Sequence, residues 1–279
     1  MDTRPVSAAE AARIEGAEAR AWAEMYRAAP PEFARAAGLE VREVAGAPVL
    51  SWAASGRRYF SRAIGLGVAA PATAEAVDEI LRGYREAGIT MFLLQALPHC
   101  RPADYEPWLL ERGLRPFDAQ DRVVRGGDPL AVPAARSRNR GLVVERVSGD
   151  TVAQWTAFLQ RVYQLDTGTW LESLAARPRW HQYVVREEAE VVGARGMYLG
   201  QDGIAWLGME GPVPGITTRH YEPDAALCAA IVADGLVLGA SGFIADIEAP
   251  SGAMDTPAYD YFARLGFRRP YMRTHYAFV

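Results

Sequence analysis

The sequence predicts an α/β protein of two tandem domains, each a mixed, mostly antiparallel sheet with flanking helices. Three observations carry that prediction. Residues 205–248 read as an apolar strand, a Pro/Gly-rich loop, an alanine-rich helix and a second strand. Such a crossover lays two parallel strands side by side. Alternating segments parted by turn residues, such as 38–44 and 47–53 about Gly46, read as antiparallel hairpins. The order of elements in the first half of the chain then returns in the second.

Composition narrows the class. Half of the 279 residues are apolar and 23% are charged, a globular balance with ample core material. A net charge of -4 leaves no basic footprint for nucleic acid. No apolar run reaches the roughly 18 residues of a membrane span, so neither nucleic acid nor membrane is an expected partner. The N-terminal stretch MDTRPVSAAEAARIEGAEARAW has a charged amphipathic pattern instead of a signal peptide's apolar core, and the expected address is the cytoplasm. Cys100 and Cys228 form no framework of spacings, and no disulfide is expected. The Ala/Arg/Gly-rich, lysine-free composition is that of a GC-rich bacterial chain.

Each element has its local reason. Ser7 followed by Glu10 reads as a capping box opening one or two helices over 7–37, broken at Pro30-Pro31. Strands are expected at 38–44, 47–53 and 58–68. Thr73 is a helix cap, and Val77, Ile80, Leu81 and Tyr84 line one face of a helix that ends at Gly88. The continuous apolar run 89–97 marks a strand covered on both faces. A helix over 104–112 stops at Gly113, and a strand over 114–124 follows. Residues 126–141 are rich in Gly, Pro and Arg and read as the linker between domains 1–125 and 142–279. Beyond it come a strand at 142–147, helices at 150–164 and 167–176, a hairpin at 181–186 and 191–198, and a strand at 204–210. A crossover helix over 225–238, a strand at 243–248, a helix over 255–264 and a last strand at 268–279 complete the chain. The pairs Gly113-Leu114 and Gly266-Phe267 occupy matching places, the sign of an internal duplication.

The C-terminal helix–Leu265-Gly266-Phe267–strand, behind a strand–loop–helix–strand, resembles the GNAT (GCN5-related) acyl-CoA N-acyltransferase superfamily in its tandem two-domain bacterial form. Pro178-Arg179-Trp180, Tyr183-Val184-Val185, Val191-Val192-Gly193-Ala194 and the run from Asp255 to Gly266-Phe267 fall at similar places. The resemblance covers nearly the whole chain. It implies a ligand cleft where two parallel strands splay, and acyl transfer from acetyl-CoA or another acyl-CoA to an amine of a small molecule. It also implies an Arg/Gln-x-x-Gly-x-Gly/Ala loop whose N–H groups, with the helix dipole, hold the coenzyme diphosphate.

This chain departs from that loop. Arg219 keeps the leading basic position, but the glycines give way to His220 and Glu222, followed by Pro223. Proline has no N–H to offer. Two like charges about 4 Å apart cost on the order of 4 kcal/mol at an effective dielectric of 20, so Glu222 and Asp224 oppose a diphosphate. Pro212 and Pro214 stand on the strand edge that would bond a pantetheine arm. In the first domain Gly65-Leu66-Gly67 has no basic residue after it, and no cofactor loop is expected there. The family's frequent tyrosine acid corresponds to Phe262, with Tyr261 expected to point elsewhere.

The expected active cleft lies near 211–226. Its cofactor contacts would be Arg219, Asp224 and Ala225. Glu210, at a strand end, is the candidate base for the amine, and burial would raise its pKa. His220, Glu222, Glu248 and Asp255 are further candidates for acid/base catalysis. His220, Asp246 and Glu248 could form a divalent-metal site, with Asp246 and Glu248 on one strand face; the alternative is that Glu222 and Asp224 cap the helix. Trp155, Trp170 and Trp180 could wall an acceptor pocket or simply pack. His99-Cys100, His181 and His275 read as structural. Three functions stay open: an acyl-CoA-dependent N-acyltransferase with a degenerate diphosphate loop, a GNAT-fold enzyme that has lost CoA and does acid/base or metal-assisted chemistry, and a non-catalytic binding or scaffolding protein.

Overall fold

A computed structural model describes residues 1–130, 141–214, 217–218, 220–248 and 256–279. The chain forms two compact units. The N-terminal unit takes Pro5–Gln120 and Tyr271–Val279, and the C-terminal unit takes Met1–Arg4 and Asp121–Pro270. The expected division at 126–141 differs from this in three places, the first being Met1–Arg4, which falls with the C-terminal unit. Residues 121–125 belong with the C-terminal unit, and the end of the last strand belongs with the N-terminal one. Most of the expected linker, 131–140, lies outside the described residues.

The N-terminal unit opens with α1 (Ala8–Arg27), whose Ser7 cap accepts the N–H of Glu10, and α2 (Pro31–Ala37). Then come β1 (Leu39–Val44), β2 (Ala47–Trp52), β3 (Arg62–Ala63), α3 (Ala74–Glu86), β4 (Leu93–Ala96) and α4 (Tyr105–Glu111). The start of β5 (Arg115–Gly126) and the end of the last strand, β11 (Arg268–Ala277), complete it. The order is β1-β2-β3-β4-β11. Strand β3 is far shorter than the expected 58–68. A 3₁₀ turn takes residues 58–60, and Gly65 and Gly67 at φ 73 and 83 leave the extended region. Strands β3 and β4 run parallel, joined by α3, while β11 lies antiparallel to β4 with His275 opposite Gln95.

A core of Val49, Val77, Ile80, Tyr84, Leu94, Leu109 and Tyr276 packs around α3 and α4. Helix α1 instead buries two carboxylates, Glu15 and Glu18. The Arg273 guanidinium donates to Glu15 at 3.3 Å, to Glu18 and to Gln120 at 2.9 Å. Tyr271 joins this cluster by donating to Glu15 at 2.7 Å, and two residues beyond Arg273 the buried His275 has its two ring nitrogens 2.5 Å from Asp118 and 3.1 Å from Gln95. Residue His275, read as packing, is therefore a member of a buried polar network.

The C-terminal unit contains β6 (Leu142–Arg146), α5 (Thr151–Tyr163), α6 (Trp170–Ala175), β7 (Trp180–Glu187), β8 (Glu190–Leu199), β9 (Ile204–Gly211), α7 (Glu222–Val237), β10 (Gly242–Glu248) and α8 (Pro257–Arg264). Its order is β5-β10-β9-β8-β7-β6, antiparallel from β6 to β9. Strands β9 and β10 are parallel over three pairs only, ending at Ile244 opposite Trp206, and then part. Helix α7 covers one face with Leu227, Cys228, Ile231 and Val232 against Tyr183, Val185, Met197 and Leu207. Helix α5 lies on the other face, where a Cβ on Gly211 would meet Leu159 and Val162 at 3.1–3.2 Å. Helix α7 starts three residues before the expected 225, because Pro223 is well suited to a first helical turn.

Helices α4 and α8 end alike. Gly113 and Gly266 sit at φ 87 and 84, and the following N–H groups bond back to Leu109 and Phe262 at 3.1 and 2.9 Å. Each is a left-handed glycine cap. The matching Gly-Leu and Gly-Phe pairs of the sequence thus perform one structural task in both units.

Candidate active site

A bulge shapes the site. In the β8–β9 ladder Ala194 faces Gly211 and Gly196 faces Gly208, so Met209 and Glu210 together oppose Arg195. Met209 takes φ 55, the left-handed region, which a side chain occupies only where its surroundings demand it. By plain alternation Glu210 would share the face of Trp206 and Gly208, under α5. The extra residue reverses that phase and turns Glu210 toward α7, where strand pairing stops.

On that face Arg195 is 2% exposed. Its Nε donates to Asp224 Oδ1 at 2.8 Å and its Nη2 to Oδ2 at 3.4 Å. Nη2 also lies 3.7 Å from Glu210 Oε1, and Nη1 is 3.5 Å from the Leu207 carbonyl. The Tyr261 hydroxyl donates to the same Asp224 carboxylate, and Cys228 Sγ is 3.8 Å from it. Burial raises the Glu210 carboxyl above its usual range, and the Arg195 charge opposes the rise. Burial and the neighbouring Asp224 also hold the Tyr261 hydroxyl well above its ordinary value. The Tyr163 hydroxyl closes the site from α5 by donating to the Glu210 carbonyl at 2.6 Å.

Beside this cluster lies a cleft of about 360 Å³. Its walls are Glu187, Val192, Gly193 and Ala194 on one side, Gly211 and Pro212 at the end of β9, Thr218 and His220 in the loop, and Pro223, Asp224 and Leu227 on α7. A Cβ on Gly193 would stand 2.9 Å from the Val185 methyl on β7, so glycine there leaves room for that side chain under α7.

The expected site residues divide. His220 and Asp224 line the cleft, with Glu222 exposed in the adjoining helical turn, while Glu210 stands one residue before the lining Gly211 and faces Arg195 at 3.7 Å. His220 is exposed and its N–H donates to Thr218 Oγ1 at 3.0 Å. Asp246 is 3.1 Å from Arg122, and Glu248 is half-buried on the same strand. Among the described residues no group of three His, Cys, Asp or Glu side chains is placed to hold a metal ion. Asp224 is no outward-facing cap; its carboxylate turns inward onto Arg195. The Ala225 N–H is already used in the helix, bonded to Tyr221 O at 2.9 Å. Arg219 and Asp255 lie outside the described residues. Tyr261, expected to point elsewhere, reaches into the cluster, whereas Phe262 packs in the core.

Sequence reasoning missed Arg195 and the bulge. Arg195 carries a signal all the same. It stands between Gly193 and Met197 on the inward phase of an apolar strand, and a charge at such a position needs a buried partner.

At the N-terminal unit's own crossover the chain hydrogen-bonds to itself. Arg101 N–H bonds to Gly67 O at 2.9 Å, Ala72 N–H to Arg101 O at 2.7 Å, and Thr73 caps α3. The chain closes that corner on itself.

No family model matches the sequence, and no curated protein is similar to it. Solved structures are. A GCN5-related N-acetyltransferase from Kribbella flavida superposes with a TM-score of 0.59 at 15% identity, over 95% of this chain and 94% of its own. A GCN5-related N-acetyltransferase from Sphaerobacter thermophilus gives 0.56 at 15%, over 98% and 93%. A tandem GNAT protein from the clavulanic acid biosynthesis pathway gives 0.54 at 12%, over 98% and 96%. The fold is that of the GNAT N-acetyltransferases, matched along nearly the whole chain.

That fold implies an acyl-CoA donor, and the cradle residues do not fit its diphosphate. The first turn of α7 presents Glu222, a proline without an N–H, and Asp224. The described lining of the cleft contains no arginine, and the chain has no lysine at all. No described helix is long and apolar enough to cross a membrane.

Proposed function

We propose that the C-terminal unit transfers an acyl group onto an amine of a small molecule, with Glu210 as the base. The observation that carries this is the bulge, which brings a mostly buried carboxylate with a raised pKa to the splay of β9 and β10. An ammonium cannot attack a carbonyl. It must first lose a proton, and a carboxylate whose pKa lies nearer neutrality is the better acceptor. The Arg195 cation beside it opposes that rise and favours the ionised form. The nitrogen–carbon bond then forms as the acyl carbon parts from its leaving group, and Glu210 keeps the amine proton.

The test is Glu210→Gln, close in shape and unable to take a proton. Against a panel of small amines and acyl thioesters, kcat should fall by about 10²–10⁴ with little change in KM. The wild-type kcat/KM should rise with pH through a limb above the ordinary carboxylate range, absent in the variant. Unchanged turnover in Glu210→Gln would refute the assignment.

A second reading is acid/base chemistry with no acyl donor. It is favoured by the Glu222-Pro223-Asp224 turn, which puts carboxylates where a donor's phosphates would rest. Turnover of a substrate in the absence of any thioester would establish it.

A further inference from the structure

We infer that the acyl donor is a thioester recognised without a nucleotide, a pantetheine-type or shorter thiol ester whose binding gains nothing from a phosphoadenosine diphosphate half. This rests on the acyl-transfer reading and narrows its substrate class. Coenzyme A differs from pantetheine by a diphosphate, a ribose phosphate and an adenine, so nearly all its charge lies in the part under test. Where that part would have to rest, the cleft offers carboxylates. Glu187 is exposed on one wall and Glu222 is exposed in the adjoining helical turn, while the buried Asp224 is turned onto Arg195.

The helix terminus has less to offer an anion than most, because Pro223 removes one of its first-turn N–H groups. Arg195, a buried guanidinium behind the cleft's α7 wall, is committed to Asp224 through two contacts at 2.8 and 3.4 Å. Asp224 thus fills, from within the chain, the place of a bound anion. The rest of the lining is suited to an uncharged arm: Val192, Ala194, Pro212 and Leu227. The transfer balances without the nucleotide. Glu210 takes the ammonium proton, the amine nitrogen bonds the acyl carbon as the carbon–sulfur bond breaks, and the nitrogen's second proton passes by way of water to the departing thiolate.

Three measurements on the intact chain decide the matter. With one amine acceptor, S-acetyl-pantetheine and acetyl-CoA should show kcat/KM values within about threefold of each other. A preference for acetyl-CoA above about thirtyfold overturns the inference. Adenosine 3′,5′-bisphosphate titrated calorimetrically should show no saturable binding up to about 1 mM, and micromolar binding overturns the inference by itself. The double variant E187Q/E222Q removes two exposed charges, which leaves folding intact. It should raise the ratio of acetyl-CoA to S-acetyl-pantetheine kcat/KM about fivefold at low salt, an effect that fades as salt screens it. An unchanged ratio removes the electrostatic argument. If neither thioester is used with any amine, the acyl-transfer reading falls, while the nucleotide titration still decides whether this corner repels the nucleotide.

Discussion

Replacing Asp224 by alanine tests the arrangement on which the site depends. The change strips a buried guanidinium of its nearest partner. Arg195 is 2% exposed and loses bonds at 2.8 and 3.4 Å. Breaking a buried pair from one side costs about 3–5 kcal/mol, because the remaining charge stays buried. Glu210 at 3.7 Å and the Leu207 carbonyl at 3.5 Å still face Arg195 and hold the cost toward the lower end. The Tyr261 hydroxyl loses its acceptor as well, adding roughly 1 kcal/mol. The expected total is about 4 kcal/mol, or a fall in Tm on the order of 8–16 °C for a unit of this size. Urea unfolding followed by tryptophan emission would read it, since Trp155, Trp170, Trp180 and Trp206 all lie in the C-terminal unit. A paired replacement, R195M with D224L, removes the stranded buried charge and should recover most of the loss, leaving roughly 1 kcal/mol from the Tyr261 hydroxyl without its acceptor. A loss below about 1 kcal/mol in Asp224→Ala would mean that Asp224 and Arg195 do not form a buried pair.

Two further outcomes follow from the same unit. Burial, with Arg146 beside it, pushes the His181 imidazole down to about 4. The folded state then binds that proton less readily than the unfolded chain does. Its stabilising contribution is complete above the ordinary histidine value of about 6.5 and is lost as pH falls toward the folded value. The Tm of His181→Gln should therefore drop less between neutral pH and the acid end of that window than the wild-type Tm, and parallel slopes would refute the shift. At Gly208, an added Cβ would stand 2.1 Å from the Trp206 ring, which is 3% exposed and edge-on to Trp180 at 6.1 Å. Gly208→Ala should cost about 1–3 kcal/mol and perturb the near-ultraviolet tryptophan bands; a wild-type spectrum and midpoint would show that the ring moves freely.

Much of this was legible in local sequence. Helix α3 shows its cap at Thr73 and its apolar stripe, and both stand where the pattern puts them. The crossover around α7 was visible because a strand period, a helix period and glycine punctuation follow one another within 205–248. Boundaries were less legible where two local preferences compete. Strand β3 shrank because Gly65 and Gly67 turn the chain, and α7 gained a turn because Pro223 suits a helix start as well as a loop. Glu210 was identifiable as a carboxylate at a strand end, but the face it presents was not. A bulge at Met209 leaves no mark in residue type, since it arises from how β9 is held against β8.

By itself the sequence determined what its short-range periodicities encode: the elements, their order, and the acidic, proline-bearing turn that opens α7. Tertiary structure alone decided which residues meet. Asp224 and Arg195 are 29 positions apart and Tyr261 is 37 beyond Asp224, and no local pattern records that they share one buried cluster. The C-terminal residues of β11 likewise join the N-terminal unit, because β4 bonds to whichever strand lies beside it in space. Hydrogen bonding and burial act through distance, and distance in a folded chain is a property of the whole sequence acting together.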